Sequence, residues 1–328
     1  MMGRTLRAEA PALLLLGLLA ALPFLGFGEG WALTLVARAM ILAMAAVALS
    51  LLVGGAGLVS LGHAAMMGFG AYAVVILDDA RIVEAWMVLP AAIAAAALFA
   101  LLTGAVAIRT SGVHFIMITL AFGQMAFFTA TSLAGYGGDD GYTLYARTEV
   151  FGTRLLEDRL AFHYVCLGAL AATWLLCRAL LASRFGRVLR AAKGNPMRAQ
   201  AVGFDPYLYR LTAYVISGAI GGAAGFLFAN ATEFVAPAYL SWQRSGELLF
   251  MVILGGLAGL HGAILGALAF VLIEEWLSHV WEHWRILFGA GLVLLVLFAP
   301  QGLSGLPGQL ERGLRRPARP KVAETGHG

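Results

Sequence analysis

Apolar residues in this chain gather in runs close to the length of a bilayer crossing, separated by short polar or glycine-rich breaks. A single helix needs about 20 apolar residues to span the hydrocarbon. The runs predict helical segments at 11–28, 32–53, 56–77, 86–108, 113–133, 160–182, 207–230, 246–258, 262–278 and 285–299. A soluble protein would have to hide all of them in one core, which their lengths argue against. The expected fold is all-α, a polytopic transmembrane helical bundle of about 8–10 spans.

Composition strengthens this expectation. The 328 residues are 61% hydrophobic and 12% charged, whereas soluble domains run near half apolar and about a quarter charged. The first run, behind Arg4 and Arg7, has the layout of a signal peptide. It lacks a clean small-x-small cleavage site followed by hydrophilic chain, so an uncleaved anchor is expected.

Charge then orients the spans. Basic clusters occur at Arg4/Arg7, Arg109, 184–198 and 312–321, and acidic ones at Asp78/Asp79/Glu84, Asp139/Asp140, Glu157/Asp158 and Glu274/Glu275/Glu282. With ten spans and both termini inside, every basic cluster falls on the cytoplasmic side, as the positive-inside rule requires. That describes a multi-pass protein of the bacterial inner membrane with both termini cytoplasmic. The net charge of +4 is then a topology signal rather than a nucleic-acid footprint, and the expected surroundings are membrane lipid. No charged residue stands clearly at mid-membrane. Residues 1–310 are expected to form one transmembrane domain. Within it, 134–159 make a periplasmic connection with room for a short element of its own, and 184–206 make the longest internal cytoplasmic loop. Residues 311–328, rich in Pro and Arg, read as a disordered cytoplasmic tail.

Chemistry of the enzymatic kind is hard to find. Cys166 and Cys177 lie eleven residues apart in one apolar run, about three helical turns, too far to bridge. His279, Glu282 and His283, with Glu274 and Glu275, share one helix face and form a conceivable metal group. Trp276, Trp281 and Trp284 beside them make an interfacial aromatic belt the preferred reading. No metal, cofactor or catalytic residue is expected. No Gly-x-x-x-x-Gly-Lys-Ser/Thr phosphate cradle occurs, so a P-loop ATPase site is absent and energy for any pumping must come from a partner.

Two glycine-broken segments echo each other: Gly54-Gly55-Ala56-Gly57-Leu58-Val59-Ser60-Leu61-Gly62-His63 and Gly255-Gly256-Leu257-Ala258-Gly259-Leu260-His261-Gly262. Corresponding interruptions in two halves of a membrane protein point to a transport path built from internal repeats. Close packing of small-residue helices explains them equally well. Polar groups inside spans are functional candidates by default, and here these are Ser60, His63, Thr119, Gln124, Ser217 and His261. The alternative for each is an interhelical hydrogen bond worth about 1 kcal/mol, or, for the two histidines, capping of carbonyls freed at a helix break.

The loop at 184–206 reads as a pair of short helices. Arg187-Val188-Leu189-Arg190-Ala191-Ala192 is helix-forming, and Gly194-Asn195 ends it. Asn195 can cap a second helix with Pro196 in its first turn. Gly203 is a natural stop. Met197, Ala201 and Phe204 would then be displayed in the cytoplasm as a surface for a partner. A solvated basic loop that merely obeys the topology rule fits the composition as well.

The run from Asn195 through Ala201-Val202-Gly203-Phe204-Asp205 to Tyr209-Arg210-Leu211-Thr212-Ala213-Tyr214 and Ser217-Gly218-Ala219-Ile220-Gly221-Gly222 resembles the coupling-helix region of branched-chain amino acid ABC transporter permeases. The segment from Gly57 to Tyr72 resembles that family's N-terminal signature, and 255–267 its third. Three motifs in order span most of 54–300 and are more similar to the LivM-type than to the LivH-type subunit. The chain departs from the family at Lys193-Gly194-Asn195-Pro196, where an acidic Glu-Asn stretch is common, and at Gln200.

The resemblance implies a permease subunit, without its own ATPase site, of an ATP-driven importer for branched-chain or related amino acids. It implies a second, LivH-type permease, two cytoplasmic ATP-binding subunits and a periplasmic substrate-binding protein as partners. It implies a coupling contact through Lys193, Asn195, Met197, Ala201, Gly203, Phe204 and Asp205. Urea, short amides or aromatic acids are alternative solutes within the family. An ion-coupled secondary transporter is the alternative outside it.

Overall fold

A computed structural model describes residues 2–25, 30–257, 259–280, 283–298 and 302–305. The expected tail at 311–328, the basic cluster at 312–321, Glu282 and Trp281 lie outside the described residues. Among the described residues twelve α-helices run in the order α1 (Met2–Ala21), α2 (Gly30–Ser50), α3 (His63–Asp79), α4 (Ala85–Ala107), α5 (Val113–Ser132), α6 (Arg159–Ala182), α7 (Arg184–Gly194), α8 (Pro196–Ala201), α9 (Pro206–Thr232), α10 (Trp242–Gly255), α11 (Leu260–Val280) and α12 (Trp284–Phe298). Each of the ten expected apolar segments corresponds to one of these helices, and α7 and α8 fill the predicted polar loop. Six are long and apolar enough to cross a membrane: α2 with its π-helical extension Leu51–Ala56, α4, α5, α6, α9 and α11.

Helix α2 is the central post. From Ala39 to Leu52 every side chain is buried, the state of a helix that is hydrophobic all round. It packs against α6, α11, α9 and α10. On its far side α9 is pressed between α3 and α4. The α4 face toward α9 is a stripe of Ala92, Ala96, Ala100, Gly104 and Ala107, four or three residues apart and buried. An ideal Cβ at Gly218 or Gly222 of α9 would run into that stripe, at Ala100 and Ala96. Small residues let membrane helices gain van der Waals contact where no hydrophobic drive separates helix from lipid. The remaining faces of α4 and α5 carry exposed Leu98, Leu102, Met117, Met125 and Phe128.

The connection at 134–158 does carry an element of its own. Strand β1 (Tyr142–Thr143) pairs antiparallel with β2 (Phe234–Val235), Tyr142 opposite Val235. Buried Asp78 accepts the Tyr145 N–H at 3.1 Å, and Asn230 accepts that of Thr148 at 2.8 Å. Arg147 meets Glu233 at 2.7 Å. Cys166 and Cys177 are both buried and unbridged on α6, as their spacing requires.

An ion pair links α2 to α11. Arg38 lies inside α2, about 12 Å along the axis from Gly30, and its guanidinium meets the Glu274 carboxylate of α11 at 3.2 Å. The pair ties two membrane-length helices, α2 and α11, to each other.

Candidate functional site

Two regions carry the polar groups that matter. The first is the α7–α8 element. Ser183 ends α6 and leads into α7, whose buried face is Gly186, Val188, Leu189 and Ala192. The Asn195 side chain accepts the Arg198 N–H at 3.1 Å, with Pro196 at the first helical position. Gly203, at φ +87, closes α8 in the left-handed region where a side chain would be strained. Asp205 caps α9 by accepting the Tyr207 N–H at 3.0 Å. The local signals in this stretch thus produce the helices they predict.

Three apolar side chains stand outward on α8 and the turn after it. Met197 is 73% and Val202 74% exposed, and Phe204 stays half out while its edge meets Tyr209 with ring centroids 6.0 Å apart. Ala201 and Gln200 are exposed too. Val202 escaped the sequence reading because a lone apolar residue before a glycine carries no periodic signal. An open groove of about 980 Å³ lies between α7, α8 and the start of α9, rimmed by Arg184, Arg187, Arg190 and Arg198 and floored by Val202, Phe204 and Tyr209. Lys193 is the exception among the expected docking residues. Its ammonium turns inward to the carbonyls of Val53 and Gly54, at 3.2 and 2.9 Å.

The second region is the break between α2 and α3. Residues 57–62 are not helical, and Gly62 packs against the backbone of Thr119, about 9 Å into α5. Backbone without a helix at that depth must find hydrogen bonds inside the protein. The Leu61 N–H donates to Thr119 Oγ1 at 3.3 Å, Gly62 N–H to Ser60 Oγ at 3.3 Å, and Ala64 N–H to Ser245 Oγ at 3.0 Å. Ser217 Oγ donates to the Ala48 carbonyl of α2 at 2.6 Å. The His63 ring lies beside the Ala45 backbone, one turn away, yet outside hydrogen-bonding geometry, so both its nitrogens are buried without a partner. Gln124 is half-buried on α5 with its amide nitrogen equally unpartnered.

Ser60, His63, Thr119 and Ser217 are all buried, with Ser60 and Thr119 holding the backbone of the break and Ser217 the Ala48 carbonyl of α2. Ser245 joins them although the sequence reading left it just outside a span. His261 stands apart at the start of α11, half-buried beside Gly259. Leu257, just before it, nonetheless lies against the π-helical end of α2: an ideal Cβ at Gly54 would touch the Leu257 carbonyl at 3.5 Å. Among the described residues no three His, Cys, Asp or Glu side chains converge to hold a metal ion.

Residues 31–297 match the family model described as branched-chain amino acid transport system / permease component. The chain belongs to that family. It is 28% identical to the high-affinity branched-chain amino acid transport system permease protein LivM of Escherichia coli over 80% of this chain and 68% of that one. It is 31% identical to the probable branched-chain amino acid transport permease protein LivH of Methanocaldococcus jannaschii over 39% of this chain and 42% of that one. It is 27% identical to the guanosine ABC transporter permease protein NupQ of Bacillus subtilis, over 53% and 59%. No solved structure matches. The six apolar helices are accordingly those of an integral membrane permease. In this permease the Asn195 cap is a point of local stability. Asn195→Ala is expected to cost α8 about 1 kcal/mol, whereas Asn195→Asp keeps the cap. Amide exchange at residues 197–199 measures the difference.

Proposed function

We propose that this permease is one half of the membrane channel of an ATP-driven importer for branched-chain or related amino acids. The observation that carries the reading is the α7–α8 element, a capped helix pair that offers Met197, Val202 and Phe204 away from the bundle. Exposed apolar side chains beside an arginine rim are the chemistry of a docking surface. On this reading two ATP-binding subunits engage α7 and α8 on the cytoplasmic side, where both termini also lie. A second, LivH-type permease completes the path, and a periplasmic binding protein delivers the solute at the opposite end. The chain moves solute and makes or breaks no bond. A switch of this kind requires that the motor's contact differ between outward-open and inward-open states. The buried groups Ser60, His63, Thr119 and Ser217 then belong to an occluded arrangement, with Gln124 and His261 at its margins.

Phe204→Asp places a charge in the docking surface. Uptake is expected to fall about tenfold or more, the loss typical of a central apolar contact, with the permease still present in the membrane. Radiolabelled leucine uptake in cells carrying the partner genes tests it. Wild-type uptake by the variant would remove the docking claim. Competition by unlabelled valine, urea, benzoate and guanosine in the same assay separates the amino acid reading from its alternatives, guanosine being included because of the NupQ likeness.

A further inference from the structure

The π-helical end of α2 has an irregularity that α7 repairs. In a regular helix the Gly57 N–H would serve the Val53 carbonyl and the Leu58 N–H that of Gly54. Here both N–H groups turn back to the Leu52 carbonyl instead, the Leu58 bond measuring 3.1 Å, while Gly57 adopts φ +71. The diversion leaves the Val53 and Gly54 carbonyls without helix donors beside the break at 57–62. Lys193 supplies the missing donor, its ammonium 3.2 and 2.9 Å from the two oxygens. A cation at a helix C-terminus is also favoured by the helix dipole.

The stem is fitted as well as the head. An ideal Cβ at Gly57 would stand 3.0 Å from Lys193 Cγ and 3.4 Å from its Cδ, so the aliphatic chain lies on bare glycine backbone. Leu189, on the same helix, is buried against Gly55. From the other side Arg210 of α9 donates to the Ala192 carbonyl at 2.9 Å. Helix α7 is thus fastened at one point to the end of α2 and to α9. Beyond the fastening, residues 57–62 carry Ser60 and lead directly into His63, and Gly54, one of the two clamped residues, faces the Leu257 carbonyl just after α10.

We propose that Lys193 is a positioning residue that clamps α7 to the broken end of α2, so that displacement of α7 is transmitted to residues 57–62 and to His63 beyond them. This rests on the importer reading for its purpose, though not for its geometry. It assigns Lys193 an inward role rather than direct contact with the motor.

Two measurements on Lys193→Met, which keeps the stem, and Lys193→Arg, which keeps the charge and donors, test the clamp. In the purified permease in lipid nanodiscs, hydrogen exchange over residues 53–62 is expected to quicken severalfold in the Met variant and stay near wild type in the Arg variant. In the assembled transporter, the Met variant should hydrolyse ATP at an undiminished rate while uptake per ATP falls severalfold, and Arg should restore it. Unchanged exchange in the Met variant overturns the clamp, even if uptake falls, because Lys193 would then act at the motor contact. Faster exchange with full coupling overturns its part in transmission. Absence of ATP-driven uptake by the wild type strikes the importer reading instead, and the exchange measurement still decides the clamp.

Discussion

Replacing Gly225 by alanine is expected to destabilise the helix bundle by about 3 kcal/mol or more, at the upper end of overpacking changes. Gly225 of α9 faces the backbone of α3, and an added Cβ would overlap the Met67 carbonyl and press on the Ala71 amide. Neither atom belongs to a flexible side chain. The two helices would have to separate, and the same seam holds Gly70 against Gly222 one turn along. Loss of van der Waals contact along that seam is not offset by water release, because lipid is as apolar as the helix face. Gly168, on α6, provides the control, since nothing lies within 4 Å of its ideal Cβ. Alanine there should be neutral or slightly favourable through helix propensity. Thermal unfolding in detergent, followed by size-exclusion chromatography, compares the pair. Equal melting of Gly225→Ala and wild type would show that α3 and α9 do not meet so closely.

The seam also shows how far sequence reasoning reaches in a chain like this. Each apolar run corresponds to a helix, because lipid leaves the backbone little alternative to bonding within its own segment. The junction of the α7–α8 pair is legible in the sequence, since Asn195, Pro196 and Gly203 act through rules that span only three or four positions, whereas the start of α7 at Arg184, ahead of the expected Arg187, is not. The break at 57–62 and the interruption after α10 are marked by glycine in the sequence, yet the contact between Gly54 and the Leu257 carbonyl is not, for nothing local specifies it. Ser245 illustrates the same limit. It bonds the Ala64 amide across 181 positions, while its own neighbours Arg244 and Glu247 make the segment look like a span margin. The two histidines matched by pattern differ in surroundings: His63 is fully buried and His261 half-buried. Lys193 was legible as a member of the polar loop but not as a cap on α2, because its carbonyl partners lie 140 positions away.

The ion pair between α2 and α11 is the other place where a single change should tell. Glu274→Ala leaves the Arg38 guanidinium without its carboxylate partner within α2. Breaking a buried pair costs about 3–5 kcal/mol, and because about a third of the Arg38 side chain is exposed, the lower end of that range or slightly less is expected. Arg38→Met with Glu274→Met should recover most of the loss, since well-packed apolar residues often replace such pairs at no cost in stability. Melting of the purified variants gives the order: single substitution lowest, double near wild type. A single variant as stable as wild type would mean that the pair contributes nothing to the α2–α11 contact. The double variant then discriminates between a strut and a working group. Ionisable residues within spans are functional by default, and an ion-coupled carrier would need this pair for transport. If the stable double variant still takes up solute at the wild-type rate in a protonophore-treated cell with ATP intact, the pair is a strut between two helices. If uptake is lost although the protein melts normally, Arg38 and Glu274 take part in the transport cycle.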